Sequence, residues 1–369
     1  MKILIPIIAF EKAGGYRVLS ELASAWTRDG AQVDFLVDSR AQDPYFPTSA
    51  NVIRFNGVGE VGVPKDDAGF ESSGNALPIM RGMWRALRRI GRSYDVILAN
   101  HSLTPFPIAL ARTGKARLFY YVQAYEPEYY ALTPGAKARV LRVFSWLSYK
   151  LPFTQIANAP IYVGHHTIRA KDWIPPGIDP SNFRRRTTAP GSSPDREWVI
   201  GTIGRLEASK GTIHALRGFE MLAARNSRVR LRVAFGNLPG GWSHERAETV
   251  VPRNDAELAD YYRSIDVLLA PGTVQLGACH YPVIEAMASG TPVVTTGYLP
   301  ADKSNAWIVP VADPEAIALA IERIMAEPAS ALAARLDLAA AATERFHWAR
   351  VAGDMRRFFE TGSIGLPTR

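Results

Sequence analysis

Cysteine is almost absent: Cys279 stands alone among 369 residues. An intrachain disulfide is therefore impossible, which fits a reducing, cytoplasmic setting. A lone, mostly apolar thiol reads as a small packing residue. No run approaches the eighteen or so apolar residues of a transmembrane helix. The opening Lys2–Phe10 is too short for one, and no small-residue cleavage site follows it, so it reads as a first buried strand. The dinucleotide fingerprint Gly-x-Gly-x-x-Gly is missing. Nowhere do His, Cys, Asp and Glu fall at metal-ligand spacing, so neither a metal nor another cofactor is expected. Acidic residues are outnumbered, 35 against 43 Lys and Arg, for a net charge of +8. That balance favours anionic partners. Nucleic acid is not expected among them, because no recognition-helix or aromatic-basic single-strand signature accompanies the charge.

What is present is enough apolar material, 47% of residues, for two cored domains. Strand and helix signals alternate along both halves, which implies βαβ units and parallel sheets. The first half offers strands at Lys2–Phe10, Gln32–Val37, Asp95–Ala99 and Arg117–Gln123, with a helix over Tyr16–Asp29 after a Gly14-Gly15 loop. Residues 41–78 read as irregular. The second half offers strands at Trp198–Ile203, Val229–Phe235, Asp266–Ala270 and Pro292–Thr296. Its helices fall near Lys210–Ala224, Asp255–Ser264, Glu285–Ser289, Asp313–Ala326 and Ala331–Arg345. Asn254 and Glu257 suggest a capping box, and Ser330 a cap for the last of these helices. The expected division is 1–175, a linker over 176–196, 197–347, and a final segment 348–369.

Two segments are basic and amphipathic. One holds Arg81, Arg85, Arg88, Arg89 and Arg92 with Met83, Trp84 and Leu87; the other holds Lys137, Arg139, Arg142 and Lys150 with Val140, Leu141, Phe144, Trp146 and Leu147. Each is either a helix docking on an anionic membrane face, such as the cytoplasmic face of an inner membrane, or a surface helix with its apolar side in the core.

Three stretches carry chemistry. Tyr281-Pro282-Val283-Ile284-Glu285-Ala286-Met287-Ala288-Ser289-Gly290-Thr291-Pro292-Val293-Val294 reads as a short helix, a glycine stop and a strand. Pro282 suits the first turn, Gly290 the C′ position, and Glu285 is a first-turn carboxylate able to accept two hydroxyls of a sugar or ribose. Ile200–Gly211 is a strand feeding a glycine turn flanked by Arg205 and Lys210, two cations that can clamp a diphosphate. Gly14 and Gly15 after the first strand let a ligand approach the backbone.

The first of these blocks resembles the nucleotide-binding signature of glycosyltransferase family 4, and Gly-Arg-Leu…Lys-Gly and the Gly-Gly loop resemble other parts of the same pattern. The resemblance implies the GT-B fold: α/β, two Rossmann-like doubly wound parallel-sheet domains facing across a cleft, with 1–175 binding acceptor, 197–347 binding donor and 348–369 crossing back. It implies sugar transfer from a nucleotide-diphosphate donor without a metal and with retention. Arg205, Lys210, Gly14 and Gly15 would hold the donor diphosphate, and Tyr281, Pro282 and Glu285 the nucleotide or sugar. The family's first glutamate falls at Gly277, and its strand-end histidine at Gln123. Val-Gln-x-Tyr-Glu-Pro with His-Tyr-Pro-x-x-Glu resembles a rhamnosyltransferase-like branch of bacterial surface-polysaccharide and lipopolysaccharide assembly. This points to a deoxyhexose donor and a glycan or lipid-linked acceptor. Gln123, Glu126 and His280 are then the candidate catalytic residues, and His101 a candidate acceptor or cleft residue. A sugar-nucleotide epimerase of the same shape, or a non-catalytic member of the fold, stays open.

Overall fold

A computed structural model describes residues 1–66, 76–191 and 196–364. The chain forms two compact units, Met1–Gly177 with Trp348–Arg369, and Ile178–His347. The first opens with β1 (Lys2–Pro6), α1 (Gly14–Arg28), β2 (Gln32–Asp38), β3 (Asn51–Phe55) and α2 (Ala76–Ile90). It continues with β4 (Val96–Ala99), α3 (Pro105–Leu110), β5 (Arg117–Val122), α4 (Glu126–Ala131), α5 (Ala136–Ser148) and β6 (Thr154–Ala157). The second contains β7 (Trp198–Ile203), α6 (Thr212–Arg225), β8 (Val229–Ala234), β9 (Ala247–Val250), α7 (Asp255–Ser264) and β10 (Val267–Ala270). After these come α8 (Tyr281–Ala288), β11 (Val293–Thr295), β12 (Trp307–Ile308), α9 (Pro314–Ala326) and α10 (Ala329–Thr343). The last helix, α11 (Trp348–Thr361), belongs to the first unit.

Each unit is built on a six-stranded sheet, ordered β3-β2-β1-β4-β5-β6 in the first and β12-β11-β10-β7-β8-β9 in the second. All named pairings are parallel. Ile3, Leu4 and Ile5 on β1 and Val267, Leu268 and Leu269 on β10 are buried consecutively, not alternately. Strands covered by helices on both faces require that pattern. In both sheets the strand order reverses beside the first strand, between β1 and β4 and between β7 and β10. Loops leaving the C-terminal ends of such strand pairs diverge and leave room for a ligand.

Several expectations change. Residues 41–78 are not wholly irregular, since Asn51–Phe55 pairs with β2 over five residues; residues 67–75 of that stretch lie outside the described ones. Helix α1 begins at Gly14, so the glycine pair is its first turn instead of a preceding loop. Helix α8 begins at Tyr281, which puts Glu285 one turn deeper than the first turn. Ser330 is not a cap, because α10 is already under way at Ala329 after Pro328. Asn254 does cap α7, accepting from the Glu257 N–H at 2.9 Å. The reciprocal bond of a capping box is diverted, as the Glu257 carboxylate takes the Arg253 N–H and side chain.

Local chemistry at the end of α8 follows the sequence closely. Gly290 adopts φ +73. Its N–H reaches Met287 O at 3.1 Å and the Thr291 N–H reaches Ala286 O at 2.9 Å, which is the Schellman pattern glycine permits at C′. Ile178–Gly191 packs with the second unit, where buried Phe183 lies against Tyr262. Helix α11 is anchored in the first unit by the Trp26 indole N–H, which donates to Ala352 O at 3.1 Å. Phe358 and Phe359 pack on Phe119 of β5.

Candidate functional site

In the second unit the loops after β7 and β10 lie together at the reversal point. The Thr273 N–H donates to Ser209 O at 2.9 Å. Gly211 makes this approach possible, and Gly204 allows a similar approach of the loop after β8. A Cβ on Gly211, whose φ is +72, would lie 1.9 Å from Pro271 O, and one on Gly204 would lie 1.9 Å from Gly236 O. Gly211 also ends the short 3-10 turn Ala208–Lys210 and caps α6. The Arg205 N–H donates to the Thr212 hydroxyl at 3.0 Å, fixing the bend that carries Arg205. The loop thus presents Arg205, which is exposed, and Lys210, which is partly buried. Among the described residues neither forms an ion pair. Burial lowers the Lys210 pKa, and the Arg205 charge lowers it further.

His280 precedes α8, its ring centred 4.8 Å from that of Tyr298 and tilted against it. Burial holds its pKa well below the usual histidine range, and the charges of Lys210 and Arg205 add to this. Its buried Nδ1 has no hydrogen-bond partner. A neutral ring beside two cations is a site that gains from an anion: negative charge would relieve the repulsion between Arg205 and Lys210. Tyr281 and Pro282 form the first turn of α8, and Glu285 below them is 2% exposed. The Tyr262 hydroxyl donates to Glu285 Oε2 at 2.9 Å, so the carboxylate is oriented from behind by α7. Tyr262 carries no motif of its own in the sequence. It occupies an ordinary apolar position of a helix 23 residues upstream, and only packing reveals its role.

Gly277 has φ +85 and its N–H bonds Gly297 O at 2.9 Å. The family's glutamate is thus replaced by a left-handed backbone that disfavours any side chain. Cys279 is partly buried, and burial pushes its thiol pKa up, in keeping with a packing role.

A second cluster forms in the first unit, also beside the strand reversal. Gln123 follows β5, and its side-chain amide donates to Gly15 O at 3.3 Å. A Cβ on Gly15 would lie 3.3 Å from Gln123 Oε1, so the glycine makes room for the amide. Asn158 after β6 fixes the Gln123 carbonyl at 2.8 Å. Glu126 starts α4, and both its oxygens are already engaged: Oε1 accepts from the Ser102 N–H at 3.0 Å and Oε2 from the Ser102 hydroxyl. His101 Nε2 stands 3.6 Å from Glu126 Oε2, while its Nδ1 accepts from the Leu103 N–H at 3.2 Å. The Tyr130 phenol nearby is pushed up to about 12 by burial and by the Glu126 charge. Glu126 is therefore a fixed acceptor that organises Ser102, His101 and the surrounding phenols. Ser102, fully buried, was not visible as part of a site except as the neighbour of His101.

The structure gathers Arg205, Lys210 and His280 at one loop pair, with Tyr281, Pro282 and Glu285 on the helix that follows. It gathers Gly15 with Gln123, and His101 with Glu126, in the other unit.

Residues 197–327 match the family described as Glycosyl transferases group 1. That stretch lies within the second unit and includes Arg205, Lys210, His280 and Glu285. The D-inositol 3-phosphate glycosyltransferase of Rhodococcus opacus is 26% identical over 220 residues, 52% of this chain. The chain spans about half the length of that relative, 48%. Among solved structures, sucrose-phosphate synthase from Thermosynechococcus elongatus superposes with a TM-score of 0.74 at 19% identity, covering 98% of both chains. HepE from Anabaena, solved with UDP and glucose, gives 0.69 at 19% identity, covering 98% of this chain and 100% of its own. With two six-stranded parallel sheets and flanking helices, the fold is that of the GT-B glycosyltransferases.

Proposed function

We infer that the protein is a glycosyltransferase that takes a sugar from a nucleoside-diphosphate donor and passes it to a hydroxyl of a glycan or lipid-linked acceptor. The observation that carries this reading is the placing of Arg205 and Lys210, neither in an ion pair among the described residues, near the oriented carboxylate of Glu285, within the segment that matches the family. In the reaction the bond from the anomeric carbon to the diphosphate oxygen breaks and the acceptor oxygen takes its place. Negative charge grows on the departing diphosphate, where Arg205 and Lys210 would neutralise it in place of a metal. A neutral His280 would donate one N–H to the same oxygens. Glu285 would accept hydroxyls of the ribose or sugar, with Tyr281 and Pro282 shaping the helix start around it. In the first unit the N–H groups at Gly14 and Gly15 suit an anion or sugar oxygen.

An amide does not titrate and the Glu126 oxygens are spoken for, so Gln123 and Glu126 would position the acceptor and not deprotonate it. Its proton would pass to the departing diphosphate, an arrangement suited to retention. The glycine backbone at Gly277 supports a donor that lacks a 6-hydroxyl, such as a rhamnosyl nucleotide, as in surface-polysaccharide assembly.

A thermal-shift series with dTDP, UDP and GDP and their sugars tests this. A nucleotide at a hundred times its Kd should stabilise by about 2.7 kcal/mol, and Arg205→Ala with Lys210→Ala should abolish the shift. Turnover should release nucleoside diphosphate, which an epimerase would not. Shifts with UDP-hexoses and none with 6-deoxy donors would overturn the donor assignment, and no shift with any nucleotide would overturn the reading.

A further inference from the structure

The two basic amphipathic segments, alike in sequence, differ in the structure. On α2 the apolar residues Ile79, Met83 and Leu87 are fully buried, and the helix is an ordinary surface one. Helix α5 is turned inside out. The residues it buries are Ala138, Ser145 and Ser148. Val140, Val143, Phe144, Trp146 and Leu147 remain 37–55% exposed. At 3.6 residues per turn Val140, Val143 and Leu147 form one outward row. Arg139 and Arg142 lie on one flank of that row and Lys137 on the other. Phe106 of α3 meets Phe144 edge-on, and Leu110 on the same helix and Leu132, four residues before α5, are each at least 60% exposed. Isolated exposed apolar residues need no explanation, but a contiguous patch marks a contact.

Charge selects the occupant. No Asp or Glu occurs between Glu128 and Asp172, and α2 on the other side of α3 has none either. A second copy packed symmetrically on this face would set Lys137, Arg139 and Arg142 against their own images. A nucleic acid would satisfy the cations and leave the valine–leucine row in water. An anionic bilayer surface satisfies both, with headgroups at the flanking cations and the acyl boundary under the apolar row. We propose that α5 is an interfacial helix that seats the first unit on anionic lipid. The surface does not depend on the donor reading, since it lies on a different unit from Arg205, Lys210 and Glu285.

The test is co-sedimentation of the full chain with vesicles of phosphatidylglycerol and phosphatidylcholine, against phosphatidylcholine alone. Binding is expected only with the anionic lipid. The wild-type minus Trp146→Phe emission difference should shift to the blue on binding. Val140→Ser with Val143→Ser and Leu147→Ser should weaken binding at least tenfold. Each of Lys137, Arg139 and Arg142 changed to Gln should weaken it about fivefold. The nucleotide thermal shift should be unchanged in all these variants, showing them folded. The proposal is overturned by equal or absent binding to both vesicle types, or by apolar-row variants that bind as wild type. It is equally overturned by a concentration-dependent dimer that the serine variants dissolve, or by RNA binding that survives them.

Discussion

His280 and Tyr262 show how single side chains acquire a role from their surroundings. The folded-state pKa of His280 is depressed, while the unfolded chain titrates near 6.5. Below that value the unfolded state binds the extra proton, so the stability that a neutral His280 allows is fully present above about pH 6.5 and is lost as pH falls. His165 in the first unit, lowered by burial and by His166, acts in the same direction. Denaturant unfolding at pH 7.5 and 5.5 should therefore show wild type losing stability toward acid, and His280→Gln should lose less. Tyr262→Phe removes a buried donor from Glu285 and should cost about 1–3 kcal/mol. It should also weaken nucleotide binding, whereas a change at exposed Tyr45 should do neither. Equal nucleotide affinity in Tyr262→Phe would show that Glu285 needs no such orientation.

Among elements, the glycine-bent loops of the second unit are the most constrained. Gly211→Ala meets both a left-handed φ and the Pro271 carbonyl, and should destabilise by more than about 2 kcal/mol. Gly277→Glu places the family's usual side chain on a left-handed backbone, and should lower the Tm without raising transfer from a hexosyl donor. A large gain with such a donor would refute that account. Much of this scale was legible from sequence. Trp198–Ile203 and Asp255–Ser264 were placed to the residue, because β-branched runs and an Asn cap are local signals. Four strands were not legible. Asn51–Phe55 sits among Pro, Gly and Ser, and Thr154–Ala157, Ala247–Val250 and Trp307–Ile308 are two to four residues long, so only their partner strands define them.

The whole molecule is organised by a chain that leaves the first unit after Gly177 and returns to it at Trp348. The return matters energetically: Phe358 and Phe359 are each 1% exposed, packed on Phe119, and Phe359 also meets Trp26. Phe359→Ala should cost about 3–5 kcal/mol. Hydrogen exchange should place that loss in β1, β4 and β5, with β7 and β10 protected as in wild type.

Local patterns alone determined the alternation of strand and helix, the parallel sheets, the cations at Arg205 and Lys210, and the glycine stop at Gly290. Each depends on neighbours within a few residues, where propensity and sterics act directly. Tertiary structure decided what depends on distant neighbours. Tyr262 stands behind Glu285, Ser102 occupies Glu126, and two loops squeeze Gly211 against Pro271. It also separated α2 from α5, since an amphipathic sequence states that a helix has an apolar side, and only packing settles whether that side faces the core or the solvent.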